Sequence, residues 1–424
     1  MSTPIAELLH LARLLDRPSS SAMGVAPIVR WLVSWIDRTV VGASDEAAQA
    51  TVGLVAAHFR QHGLDVGPEQ VLVMDGGIKS IVDSFLHAVM LPDHGDNYLL
   101  VPAGFDRSLV GDLRGYGSDV VLKRFTEQVL RDDWLVEWAH DDDQIVLYVP
   151  LVNHLTGQVL TRERARGIAR AVLRYNQERG ARRPVWVVAD DSEVGSCHFG
   201  VSGARVQRMA TITGADLGDG RLGRMADWTL TVVSPARAVG LKSSDVAFAV
   251  VPNQDTRLAM DNRAGKHDQL ADELVSAVAL YLTPRSWLGK GNSRARQNLE
   301  LVRLTVARMN RVLGFEAVKV SRQTTGGRHT ALYLHSRVYE MPTDRAIFQL
   351  TWCDADSAAG DVLAYRELFT WHYSDADNRS HRPLTLRVNL DVPAAEFVER
   401  VAVLELALTA LSAGRRRELR GEYV

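Results

Sequence analysis

The chain of 424 residues contains few residues of two chemically important types, cysteine and lysine. Its 2 cysteines, Cys197 and Cys353, are too few for a disulfide framework or a cysteine-based zinc site, and they fit a reducing cytosol. The scarcity of lysine matters because any reaction that requires a side-chain amine must use one of a short set. That set is Lys79, Lys123, Lys242, Lys266, Lys290 and Lys319.

The sequence also lacks a dominant charge and a long apolar run. Its 49 basic and 51 acidic residues give a net charge of −2, so no global field attracts nucleic acid or an anionic membrane. No apolar run approaches the roughly 20 residues that span a bilayer, and no basic segment followed by an apolar core opens the chain. We expect a cytoplasmic protein that binds neither nucleic acid nor membrane.

Short β-rich runs alternate with helical patterns from about residue 70 to residue 255. This alternation predicts a parallel sheet with crossover helices, and the continuous apolar character of the runs indicates burial on both faces. Apolar residues at helical spacing predict helices over 78–89 and 162–179. Strands are expected at 71–74, 98–103, 120–125, 145–150, 185–189, 229–234 and 246–252.

The pattern changes after Pro284, where a long predicted helix leads into a second group of strands. This group predicts a smaller α+β unit that ends in a helix. The expected elements are a helix at 292–313, strands at 316–322, 330–336 and 384–390, and a final helix at 394–412.

These patterns divide the chain into three parts. An N-terminal segment at 1–45 includes a predicted helix at 5–15 and is expected to pack on the small domain or on a partner subunit. A large domain occupies 46–290, and the small domain occupies 291–424.

A glycine-containing turn, Asp75-Gly76-Gly77-Ile78-Lys79, follows a predicted strand and opens a predicted helix. Glycines at this place let backbone N–H groups approach a phosphate at the positive end of the helix. The same residues also suit a tight strand-to-helix turn that binds nothing. Both interpretations stay open from the residues alone.

Two further segments place charged side chains on predicted strands. The run from Val185 to Glu193 ends a central strand with Asp190, where ligands bind in open α/β sheets. The strand at 384–390 carries Arg387, whose guanidinium suits a bidentate contact with a carboxylate. The alternative for Arg387 is an edge-strand side chain on the surface.

Taken in order, these segments resemble landmarks of the class I/II aminotransferases, a fold-type I family of pyridoxal phosphate (PLP) enzymes. The turn and strand at 91–105 resemble another landmark, and Asn153-His154-Leu155-Thr156-Gly157 is similar to the family's Asn-Pro-Thr-Gly motif. The segment at 234–248 is similar to the family's Ser-x-x-Lys-x-x-Gly-x-x-x-x-Arg-x-Gly loop. The resemblance implies an aminotransferase-like α/β large domain with a mostly parallel seven-stranded sheet between helices, a smaller α+β domain and a homodimer.

The resemblance also implies roles for matching residues. Asp190 is expected to bind the protonated pyridine nitrogen of PLP, Phe105 to lie over its ring, and Arg387 to bind the substrate α-carboxylate. The full set of implied cofactor contacts is Gly77, Ile78, Lys79, Phe105, Asp190 and Ser234.

Five positions depart from the family's pattern or compensate for a departure. Arg237 stands where the family's lysine forms the Schiff base, and a guanidinium stays protonated and is a poor nucleophile. His154 stands at the family's Asn, Glu193 at its Tyr, and Asp245 at its phosphate-binding Arg. Lys242 lies five residues beyond the lysine position. We expect the catalytic residues to come from His154, Glu193, Arg237 and Lys242.

Three functions remain open at this point. The first is an atypical aminotransferase-family enzyme that acts on an amino acid or similar carboxylate, with PLP held without a covalent lysine. The second is a PLP-independent enzyme on the same scaffold that acts on a carboxylate-bearing substrate, with His154, Glu193 and Asp245 as new acid–base or polar groups. The third is a non-catalytic partner subunit. The unusual site and the Arg-rich composition favour a role in specialised metabolism.

Overall fold

The computed structural model describes most of the predicted large domain and parts of the small one. The described residues are 44–90, 96–102, 104–105, 109–110, 120–125, 135, 143–178, 183–193, 206–238, 245–261, 270–281, 293–334, 369–372, 385–402 and 405. The predicted helix at 5–15 and the N-terminal segment that contains it, except for residues 44–45, lie outside this part of the chain.

The large domain alternates strands and helices along the chain. Its helices are α1 (Ser44–Gln61), α2 (Gly77–Val89), α3 (Arg162–Glu178), α4 (Pro235–Ala238), α5 (Gln254–Asp261) and α6 (Leu270–Tyr281). Its strands are β1 (Val71–Met74), β2 (Asn97–Pro102), β3 (Val120–Phe125), β4 (Gln144–Pro150), β5 (Trp186–Asp190), β6 (Thr229–Val233) and β7 (Ala247–Val250). Short 3-10 helices occupy Pro68–Gln70, Met209–Thr211, Ala215–Leu217, Gly220–Leu222 and Met225–Trp228.

These strands form one seven-stranded sheet in the order β1-β7-β6-β5-β4-β2-β3. Strand β7 runs antiparallel to both of its neighbours, and the other pairs are parallel. The predicted α/β large domain with a mostly parallel seven-stranded sheet is therefore confirmed. Because β4 and β5 are in register from Val146 and Trp186 to Pro150 and Asp190, Asp190 lies at the carboxyl edge of the sheet centre.

Apolar side chains cover both faces of the sheet. On one face Phe85 of α2 packs with Tyr148 and Val188, and on the other Val172 of α3 packs with Leu147. A sheet buried on both faces requires strands without a polar face, which is why the predicted strands appear as nearly continuous apolar runs.

The small domain is built on a second, antiparallel sheet. Its elements are α7 (Ser293–Leu313), β8 (Val318–Val320), β9 (His329–Leu334), β10 (Phe369–His372) and β11 (Thr385–Asn389), with the sheet order β10-β11-β9-β8. Residues 394–402 are helical, within the predicted final helix. Leu332 and Val388 pack on Leu299 of α7 and on Phe397, so one face of this sheet is covered by helices.

Two turns join the domains through backbone groups. The N–H groups of Thr325 and Gly326 donate to the carbonyl oxygen of Gly157 at 3.1 and 3.0 Å. The Thr324 hydroxyl donates to the carbonyl oxygen of Thr156 at 2.7 Å. We call these segments, 153–157 and 321–327, the interlocked turns.

The predicted strand positions are correct to within about three residues at each end. Strand β6 ends at Val233, one residue before the predicted end at Ser234. Ser234 instead leads into the next helix, because its carbonyl oxygen accepts the N–H groups of Arg237 and Ala238 in α4. The prediction missed β10. Among the described helices, none is long and apolar enough to cross a membrane.

Gly157 provides a test of the interlocked turns. It has a positive φ of 66°, and a Cβ there would overlap the His329 carbonyl oxygen and lie 2.7 Å from that of Gly326. Gly218 also has a positive φ, 83°, but no atom lies within 4 Å of its added Cβ. Gly218→Ala is expected to reduce the free energy of unfolding by about 1–2 kcal/mol, and Gly157→Ala by about 1–3 kcal/mol more. Urea denaturation measures the free energy of unfolding of both variants. Equal losses would contradict the close packing of the interlocked turns at Gly157.

Candidate functional site

The centre of the candidate site is the carboxylate of Asp190, the last residue of β5. Its side chain is 2% exposed. Oδ2 accepts a hydrogen bond from the Tyr148 hydroxyl at 2.6 Å and lies 3.1 Å from Nε2 of His154. Oδ1 accepts the Ser192 N–H at 2.9 Å.

The environment of Asp190 keeps it ionised. Burial raises the pKa of this carboxyl group, but the hydrogen bond with His154, the positive charge of Arg237 and the Ser192 side chain together hold it well below its ordinary range. A buried carboxylate is stable only with such compensation. Asp190 is therefore an anion at neutral pH.

His154 reaches Asp190 because of the turn that follows β4. Oδ1 of Asn153 accepts the N–H groups of Leu155 and Thr156 at 3.0 and 2.9 Å, and the Gly157 N–H donates to the Asn153 carbonyl oxygen. These bonds fix a compact turn in which His154 is 5% exposed. His154, which stands at the position of the family's Asn, thus points at the Asp190 carboxylate.

Aromatic rings line one side of this pair. Phe105 is 9% exposed, and its ring meets that of Tyr148 edge to face at a centroid distance of 4.8 Å. The ring of Tyr148 in turn lies 6.4 Å from that of His154. The sequence analysis missed Tyr148, although a tyrosine inside a fully buried strand needs a partner for its hydroxyl group.

The loop after β6 brings Arg237 to the same edge. The Ser234 N–H donates to the Ser192 hydroxyl oxygen at 3.0 Å, which ties this loop to the segment after β5. Arg237 lies on α4, is partly buried and contributes to the lowered pKa of Asp190. Lys242 lies outside the described residues.

The glycine turn lies farther along the same edge. Gly76 and Gly77 have φ of 82° and 70° at the start of α2, the Ile78 side chain is buried in the core, and Lys79 is exposed. Only the backbone of Ile78 is therefore available to an anion. Three strand spacings separate β1 from β5, about 14 Å.

Glu193 connects the large domain to the small one. It is 5% exposed, its Oε2 accepts the Arg328 N–H at 3.3 Å, and its Oε1 lies 3.7 Å from Nδ1 of His329. Burial raises the pKa of Glu193, but His329, His154 and Arg328 lower it to about 2.

Arg387 belongs to the same neighbourhood. Strand pairing sets Arg387 opposite Ala331 and Asn389 opposite His329, so these four residues share the sheet face away from α7. The charge of Arg387 also helps to lower the pKa of His329. His329 was not recognised from the sequence, where the Gly326-Gly327 turn indicated only the fold; a histidine directly after that turn was the available signal.

A buried ion pair involves Asp191, the residue that follows Asp190 in the sequence. Nε of Arg208 is 3.2 Å from Oδ2 of Asp191, and the guanidinium lies 5.9 Å from the centroid of the Phe59 ring. Burial and the neighbouring Asp190 raise the pKa of Asp191 to about 6 although Arg208 opposes the change. In the described part of the chain, no group of three or more His, Cys, Asp or Glu side chains is arranged to hold a metal ion.

The class of fold is that of the aminotransferases. No protein-family profile and no curated protein sequence matches the chain, but many solved structures do.

One such structure is an aspartate aminotransferase from Thermus thermophilus with maleate, with 16% identity, coverage of 85% of this chain and 81% of that chain, and a TM-score of 0.55. An aromatic aminotransferase from Pyrococcus horikoshii has 14% identity, coverage of 85% and 86%, and a TM-score of 0.59. An aminotransferase from Eubacterium rectale has 12% identity, coverage of 98% and 96%, and a TM-score of 0.61. At these identities the likeness establishes the fold.

Tyr148→Phe tests the support of Asp190. The substitution removes one hydrogen bond to a buried charge and is expected to lower the free energy of unfolding by about 1.5–3 kcal/mol. Tyr333→Phe, at a residue that is 38% exposed, is the control, with an expected change within about 0.5 kcal/mol. Urea denaturation at pH 7 measures both changes, and similar values would contradict the proposed support.

Glu193→Gln tests the charge at the domain junction. The pKa of Glu193 is lowered from its ordinary 4.5 to about 2, so its ionised form stabilises the fold above pH 4.5, and this stabilisation is lost as the pH falls towards 2. The variant is expected to be less stable than the wild type by about 3 kcal/mol at pH 7. The difference between the two proteins is expected to disappear as the pH falls towards 2, where Glu193 of the wild type becomes protonated. Denaturation at several pH values measures the difference. Glu316→Gln, at an exposed residue, is the control, and a deficit independent of pH would contradict the interpretation.

Proposed function

We propose that the chain is an atypical aminotransferase-fold enzyme that acts on an amino acid or a similar carboxylate-bearing substrate without the usual covalent lysine. The observation that carries this proposal is the buried, ionised Asp190 at the carboxyl edge of β5, with His154 and the cationic Arg237 as its neighbours. Ligands of open α/β sheets bind at such an edge. Arg387 lies on the small-domain sheet face that also carries His329, the neighbour of Glu193, and supplies the second half of the site in this proposal.

The residues at this edge fit non-covalent PLP. An ionised carboxylate has about four acceptor positions, and Tyr148, His154 and Ser192 occupy three of those on Asp190, which leaves Oδ1 able to accept from a protonated ring nitrogen. Backbone N–H groups at the start of α2, with Lys79, would hold the phosphate. When bound, PLP supplies an electron sink for bonds at the substrate α-carbon.

The remaining steps, binding of the substrate and transfer of its proton, are assigned to three side chains. Arg387 binds the substrate carboxylate through its guanidinium fork. Arg237 stays protonated and therefore cannot accept a proton from the substrate. It acts as a fixed positive charge beside Asp190. His154, held against Asp190, is the group that accepts and returns the substrate proton. The low exposure of His154, Asp190 and Glu193 excludes water from this exchange.

Arg237→Lys tests the missing covalent link. An amine at this position is expected to create a PLP bond that borohydride traps, whereas the wild type binds PLP and yields no trapped adduct. Absorption spectra with and without added PLP, followed by mass spectrometry after reduction, distinguish the two proteins. Arg224→Lys, at an exposed arginine, is the matched control.

Two outcomes would overturn parts of this proposal. A wild-type protein that stays colourless when PLP is added would favour PLP-independent chemistry or a non-catalytic subunit. An adduct on Lys242 would show that this lysine replaces the missing one.

Arg387→Gln tests the substrate handle. Maleate is a suitable probe because it occupies the aspartate aminotransferase structure described above. Loss of a charged hydrogen-bonding fork, worth about 1.5–3 kcal/mol, is expected to weaken maleate binding by roughly 10- to 150-fold. Calorimetric titration measures the affinity, and Arg303→Gln, at an exposed arginine on α7, is the control. Unchanged affinity in Arg387→Gln would remove Arg387 from the site.

A further inference from the structure

We propose that His329 is a further residue of the carboxylate site, which takes up a proton when an anion binds Arg387 and thereby couples substrate binding to pH. The inference rests on the proposed role of Arg387 as the substrate handle. It adds a specificity-determining residue, because only a ligand that carries a negative charge at Arg387 would drive the proton uptake.

The strand register places the two side chains on one face. Arg387 pairs with Ala331 and Asn389 with His329 across β11 and β9, and paired residues of antiparallel strands point to the same side. His329 and Arg387 are therefore diagonal neighbours, about 7–8 Å apart in such a ladder. At this separation two charges in a partly buried site interact measurably.

A counter-ion for the protonated imidazole is already in place. Oε1 of Glu193 lies 3.7 Å from Nδ1 of His329, which is within ion-pair distance but too long for a hydrogen bond. Nδ1 has no hydrogen-bond partner among the described residues. A proton on Nδ1 would turn this pair into a charge-assisted hydrogen bond after a small approach of the two groups.

The backbone of His329 and the carboxylate of Glu193 are both held by close contacts. The carbonyl oxygen of His329 packs against Gly157, and the Arg328 N–H holds Glu193 at 3.3 Å. Gly327, between them, has room for no side chain, since an added Cβ would lie 2.6 Å from Val152 and 3.1 Å from Oε2 of Glu193. The backbone beside Glu193 and His329 is therefore closely packed, and only a small approach of their side chains is needed to form the hydrogen bond.

Four charged or titratable groups surround His329. Partial burial, Arg387 on β11 and His154 after β4 lower the pKa of His329, while Glu193 after β5 raises it, and the net direction is downward. Arg328, its chain neighbour, pairs with Asp391 at 3.4 Å. The imidazole is thus neutral at neutral pH with a carboxylate beside it.

Binding of a carboxylate to Arg387 would change this balance. The ligand's negative charge offsets the cation that keeps His329 neutral, so the pKa of His329 rises in the complex. By linkage, the ligand binds most tightly below the free-state pKa, its affinity falls as the pH rises to the bound-state pKa, and it is constant above that. A neutral isostere such as maleamide produces no such dependence.

The test is an NMR titration of the His329 ring proton, assigned by its absence in His329→Gln. In the wild type we expect the pKa of His329 to lie below the usual range of a histidine and to rise when maleate is saturating. Arg387→Gln is expected to show the upward shift without ligand and no response to maleate. Arg387→Lys keeps the charge and is expected to retain the wild-type titration while binding maleate more weakly, which separates charge from loss of folding.

The outcomes separate this inference from the proposed function. An unchanged titration of His329 in Arg387→Gln overturns the coupling, whether or not maleate binds. A shift in Arg387→Gln combined with tight, Arg387-independent maleate binding overturns the substrate handle, and with it the ligand-driven proton uptake. Calorimetry of maleate binding in buffers of different ionisation enthalpy provides a second readout, in which His329→Gln is expected to lose the proton uptake seen in the wild type.

Discussion

The structure depends most on the compensation of one buried charge, the carboxylate of Asp190. An ion in this position is unfavourable unless hydrogen bonds and opposite charges replace the water it has lost. The tyrosine of one strand, the histidine of a turn and the backbone after β5 all converge on it. Loops from three strands are consequently held at one edge, and the cationic Arg237 gains a fixed neighbour. The same compensation that stabilises the carboxylate creates the polar centre of the site.

The substitutions relative to the aminotransferase pattern form a connected set. His154 lies beside the Asp190 carboxylate and Glu193 lies beside His329, and each influences the ionisation of its neighbours. Arg237 contributes charge to the same region. Replacing any one of them alone would weaken the compensation of a buried charge, which is unfavourable. The side chains at these positions are therefore electrostatically coupled to one another.

The sequence predicted the parts of the fold that depend on local pattern. Continuous apolar runs gave the central strands, and the position of Asp190 at the end of such a run indicated a ligand site. Tyr148 was missed because its hydroxyl partner comes from a different strand, and the ion pair of Asp191 and Arg208 joins distant segments for the same reason. The role of His329 depends on strand register in the small domain, which a single sequence does not reveal. Side-chain convergence of this kind is set by tertiary structure, whereas strand position is set mainly by hydrophobic period.

The interlocked turns carry a consequence for how such a site changes over time. Their hydrogen bonds run chiefly through carbonyl and N–H groups of the main chain, with small residues at Gly157 and Gly327 where the two segments meet. The main-chain bonds of this joint are available to any residue, whereas the Thr324 hydroxyl bond and the close approach at Gly157 and Gly327 are not. Evolutionary change in the joint is therefore expected at the other positions of the two turns.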